Sequence, residues 1–93
     1  MAYDYTVERP KLFTEEGQRA LLAVADAADR LIAASGAVMM ENLLRSGSSN
    51  DWMMIAAVDR LVELGRLREI VQPEGTWGQY RVFVAGRNAR GAS

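Results

Sequence analysis

Val58-Asp59-Arg60-Leu61-Val62-Glu63-Leu64-Gly65-Arg66-Leu67-Arg68-Glu69-Ile70 changes its apolar period halfway along. Val58, Leu61 and Val62 recur at helical spacing, whereas from Leu67 onward the spacing is two, with Leu67, Glu69 and Val71 on one side and Arg68 and Ile70 on the other. Gly65 stands at the change, where a residue tolerant of a left-handed backbone ends a helix. Working back, Met54 joins Val58 and Leu61 as the core stripe of a helix over about 50–64, with Ile55 and Val62 beside it. Ser48 followed by Asp51 approximates a capping box at its start. Working forward, residues 72–78 (QPEGTWG) read as a turn and 79–85 as a second strand containing Tyr80, Val82, Phe83 and Val84, so the two strands form a hairpin with a long loop.

Farther out on the N-terminal side, residues 46–49 are a turn by composition, and 41–45 read as a short helix anchored by Leu43 and Leu44. Ala37-Val38-Met39 is too short for its period to distinguish a small strand from an entry turn. Before it lies a long helix, capped by Thr14, carrying Glu15 and Glu16 in its first turn and stopped by Ser35-Gly36. Leu21, Val24, Ala28, Leu31 and Ile32 form its apolar face, while Asp26, Asp29 and Arg30 occupy much of the other. Residues 1–13 show no helical period and read as an extended N-terminal arm, and 86–93 as a flexible tail. The expected fold class is α+β, mainly α: one domain over 14–85, with three helices and a C-terminal hairpin.

Composition narrows the function. The chain has 93 residues, 49% of them hydrophobic and 25% charged, the balance of a single globular domain. It contains no cysteine and no histidine, which removes thiolate and imidazole ligands, the commonest general base and the cysteine nucleophile. No cofactor or metal is expected, and Asp26 with Asp29 reads as a solvated face. No serine is offered a base, so an enzyme is not expected. The apolar runs fall short of the roughly 20 residues of a membrane span. With no leader-like opening, a cytoplasmic location is the expectation. Net charge is −1 and the pI about 5.4, below the values above about 9 that mark basic nucleic-acid binders. The distribution is uneven: residues 1–44 hold four basic and seven acidic groups, and 45–93 hold seven and five. Every cation but Lys11 is an arginine.

The order helix, short strand or turn, helix, turn, helix, glycine, hairpin resembles the winged helix-turn-helix domain over about residues 14–85. The segment 58–70 is similar to the end of the recognition helix, its closing glycine and the first wing strand of small bacterial and phage regulators. The resemblance implies double-stranded DNA as ligand, the start of the third helix in the major groove and the hairpin as a wing on the backbone. The groove candidates are then Ser48, Ser49, Asn50, Trp52, Met53 and Arg60, with Asn50 chemically suited to adenine. Arg66, Arg68, Gln79 and Arg81 become backbone contacts, Trp77 a wedge at the wing tip, and Arg87 and Arg90 followers of the strand.

Several residues depart from that pattern. Asp51-Trp52-Met53-Met54 is acidic and bulky where DNA readers carry small polar or basic side chains. Trp52 and Met53 do not both fit a core that already takes Met54 and Val58, so at least one is expected at the surface, where an apolar patch marks a protein interface. An alternative function follows, a winged-helix adaptor or inhibitor that binds a protein through Trp52, Met53 and Trp77. Simpler roles stand beside each assignment: Trp52 covering a helix junction, Trp77 folding onto Tyr80, Asn50 as an N-cap, and Arg60 paired with Glu63. The Met39-Met40 and Met53-Met54 pairs read as gap-filling core. The first helix and the N-terminal arm are candidates for a homodimer contact, since Tyr3 and Tyr5 need somewhere to pack.

Overall fold

Helices dominate the chain, and they pack around one of their own number with a small antiparallel sheet at one side. The structure is a computed structural model and describes residues 3–45, 51–71 and 81–88. Its elements are α1 (Tyr5–Glu8), a 3-10 helix (Arg9–Phe13), α2 (Glu15–Ser35), β1 (Val38–Met39), α3 (Met40–Leu44), α4 (Asp51–Glu63), β2 (Leu67–Val71) and β3 (Val82–Ala85).

The N-terminal segment is helical where the sequence suggested an extended arm. Asp4 caps α1 by accepting from the Thr6 backbone N–H at 2.9 Å, and Pro10 sits in the first turn of the 3-10 helix, where its missing donor costs nothing. Two helices this short never complete the apolar repeat by which a longer one is recognised. Leu12 turns inward and is 1% exposed.

Thr14 then caps α2, its Oγ1 accepting from the Gly17 N–H at 3.0 Å. Gly17 has a packing reason: a Cβ there would collide with the Lys11 carbonyl and the Leu12 backbone, so the 3-10 helix lies directly against the first turn of α2. The inner face of α2 is small, with Ala20, Val24, Ala25, Ala27 and Ala28 all buried, which lets α4 approach closely. Gly36, at φ 85°, ends α2.

Residues 37–39 resolve into β1, and α3 buries Met40 and Leu43. Gly65, at φ 77°, reverses the chain after α4: its N–H donates to Val62 O and that of Arg66 to Leu61 O, which satisfies the last carbonyls of the helix. The strand order is β1-β3-β2, both pairings antiparallel. Val38 lies opposite Phe83, Phe83 opposite Glu69, and Arg68 opposite Val84, with an irregularity between Glu69 and Val71. Phe83 is fully buried and joins the sheet to the helical core.

Every residue of α4 from Met53 to Val58 is buried. Met53 is 7% exposed and Trp52 half-buried, so the surface patch expected at the start of this helix does not form. For Trp52 one reason is the N-terminal segment, whose Tyr3 ring packs edge-on against it on a side of α4 that three helices alone leave open.

Candidate functional site

Two acidic residues one helical turn apart, Asp59 and Glu63, face the N-terminal segment from α4 and organise most of the polar chemistry. The Tyr3 hydroxyl donates to Asp59 Oδ2 at 2.7 Å, and the Tyr3 ring meets Trp52 edge-on at 6.5 Å between centroids. Asp59 Oδ1 accepts from Arg81 at 2.7 Å, and Arg81 also grips Glu69 with two nitrogens, each at 2.7 Å. A continuous polar chain, Tyr3–Asp59–Arg81–Glu69, therefore ties the N-terminal segment to α4, β3 and β2. Its charged members are largely buried, with the Arg81 side chain 13% exposed. Burial by itself would lower the Arg81 guanidinium, but the bonds to Glu69 and Asp59 outweigh it and push it up. Burial and the Asp59 carboxylate together push the Tyr3 hydroxyl well above its ordinary value. Arg81 also lies over the Phe83 ring at 5.2 Å.

Glu63 gathers a second cluster. Its Oε1 accepts from Arg60 at 2.5 Å, from Arg9 Nε at 3.0 Å and from the Tyr5 hydroxyl at 3.0 Å. The two guanidinium hydrogen bonds, Arg60 first, bring its carboxyl down to about 2. Arg9 and Arg60 each stack on Phe13, both 5.4 Å from the ring centroid, and Phe13 remains 57% exposed.

These contacts redistribute the residues expected to meet DNA. Ser48, Ser49, Asn50, Trp77, Gln79 and Arg90 lie outside the described residues. Met53 is buried and unavailable to a groove, Trp52 rests on Tyr3, and Arg60 pairs with Glu63, as its three-residue spacing allowed. Arg66 pairs with Asp29 at 3.2 Å. Arg81, expected on a phosphate, is instead enclosed between two carboxylates, since the pairing of β3 with β2 carries it over α4 rather than outward. Arg68 and Arg87 are exposed and make no ion pair among the described residues.

Tyr3, Tyr5, Arg9, Phe13, Asp59 and Glu63 were not singled out as site residues from the sequence. One signal was present: paired tyrosines near the start and paired carboxylates one turn apart on a helix. Nothing in either pair indicates that they meet. Among the described residues no group of three or more acidic, histidine or cysteine side chains is placed to hold a metal ion. No described helix is long and apolar enough to cross a membrane. Compared with protein-family models, curated proteins and solved structures, the chain matches none.

Proposed function

We propose that this chain is a winged-helix module that binds a protein partner, and that it does not work by laying α4 in a DNA groove. The sheet order β1-β3-β2 and the turn through Gly65 from the last helix into the hairpin support the winged-helix reading. The observation that carries the choice of ligand is the enclosure of α4. A recognition helix presents an open face of polar side chains to base edges. Here Met53 to Val58 are buried, and the residues of α4 that face the N-terminal segment with polar side chains, Asp59 and Glu63, are acidic and occupied by it. Freeing that face would offer DNA two carboxylates. Tyr3 and Tyr5 are satisfied within the chain, so this reading needs no second copy.

The second reading, a small DNA-binding transcriptional regulator, is favoured by Arg68 and Arg87 on and beside the hairpin, both exposed and without an ion pair among the described residues. Fluorescence anisotropy of a randomised duplex pool across a salt series separates the two. The protein-module reading expects no saturable binding at low salt. Binding whose logarithm falls linearly with log salt, with a slope reduced by about one in Arg68→Ala, overturns it in favour of DNA.

A further inference from the structure

The 3-10 helix sends Leu12 into the core and Phe13 out, and nothing about folding requires a phenyl ring at the outward position. Its surroundings are organised nonetheless. Arg9 gives its Nε to Glu63 and also interacts with the Tyr5 side chain, Arg60 gives Glu63 one terminal nitrogen, and both bonds to Glu63 end on the same carboxylate oxygen, Oε1. Each guanidinium has five N–H donors, so both keep donors with no acceptor among the described residues. Two cations share one carboxylate beside an exposed ring, leaving a local excess of positive charge on a chain that is net negative. Glu63 holds both arginines in place before anything binds, which lowers the entropy cost of using them. Arginine and aromatic side chains are also the residues that carry most binding energy at protein interfaces.

We propose that Phe13, flanked by Arg9 and Arg60, anchors a docking surface for a protein segment in which a carboxylate lies next to an apolar side chain. The apolar side chain rests on the Phe13 ring, and the carboxylate accepts from the unspent guanidinium N–H groups. A nucleic acid offers similar chemistry, a base to stack and a phosphate to pair. It also brings a continuous run of phosphates past Glu15 and Glu16, both exposed and only two and three residues beyond Phe13. One local carboxylate avoids that repulsion. The surface rests on the protein-binding reading above and gives it a place and a partner chemistry.

The test uses the full chain. A random peptide library displayed on phage is panned against it, and a labelled peptide with a single glutamate–tyrosine pair in a glycine–serine background is titrated by anisotropy. A lysine–tyrosine peptide and single-stranded and duplex oligonucleotides are the controls. The expected result is enrichment of acidic sequences with an aromatic or aliphatic neighbour. The glutamate–tyrosine peptide should bind, weakened about tenfold or more by Phe13→Ala and by Arg60→Gln and untouched by Arg68→Ala. Far-UV circular dichroism checks that the exposed Phe13→Ala and Arg68→Ala and the partly buried Arg60→Gln leave the fold intact. Peptides enriched without acidic bias, or bound equally well by Phe13→Ala, overturn the surface while leaving a protein-binding module. A single-stranded oligonucleotide that binds in a Phe13-dependent way overturns the partner class. Binding of duplex DNA alone, with no peptide enriched, removes the surface and the protein-binding reading together.

Discussion

The central helix α4 is packed by two different chemistries. Toward α2 it meets small apolar side chains, Val24, Ala25 and Ala28 among them, in an interface with scarcely a polar atom. Toward residues 3–13 it meets hydroxyls and guanidiniums that end on its own carboxylates, with Leu12 the only large apolar side chain of that segment in the core. The first interface is non-directional and strong per area, while the second is directional and each of its exposed bonds is worth little. The apolar side therefore holds the fold, and the polar side fixes where the N-terminal segment lies.

Truncating the apolar side should cost most. Leu61 is 1% exposed, and Leu61→Ala should lower unfolding stability by about 3 kcal/mol in chemical denaturation. A loss below 1 kcal/mol would mean that the packing of α4 is looser than described. Arg81→Met leaves Asp59 and Glu69 largely buried without their cation, and about 3 kcal/mol or slightly less is expected to be lost. Replacing all three charges together should recover part of that loss, which a matched set of denaturation curves reads directly. Tyr3→Phe removes a single hydrogen bond to Asp59 and should cost about 1 kcal/mol, with a change in Trp52 emission because the ring contact depends on where Tyr3 sits. Emission is read against a Trp77→Phe background.

The smallest effect is a pH dependence. Glu63 has its carboxyl brought down to about 2 in the folded chain, below the ordinary value near 4.5. Its contribution is therefore present above the ordinary value and is lost as pH falls through about 2. Thermal melts between pH 5 and 2 should show Glu63→Gln losing less stability on acidification than the parent chain. Parallel losses in the two proteins would show that the Arg9–Glu63–Arg60 cluster contributes nothing to holding the segment.

The same division explains what could be read from the sequence. Helix α2 was legible from Thr14 to Gly36 because its cap, its apolar repeat and its terminating glycine agree. The passage from α4 through Gly65 into β2 was legible because a change of period is a local signal. The arginine assignments divide: the Arg60–Glu63 pair lies at a spacing the sequence shows, but Arg66 and Arg81 are as basic on paper as Arg68, and only the closeness of α2 and the register of β3 supply their carboxylates. Residues 3–13 were least legible, since their partners lie more than fifty positions away, as Tyr3 and Asp59 do.

That sequence separation bears on the order in which the molecule is made. Residues 3–13 are synthesised before α4, yet the surface that seats them does not exist until α4 has been made. Asp59, which receives Tyr3, stays without its cation until Arg81 arrives still later. Closing so long a loop carries an entropic cost that is met only once the apolar helices have assembled. Residues 3–13 are thus placed near the end of folding, by contacts that Arg81 beside β3 completes.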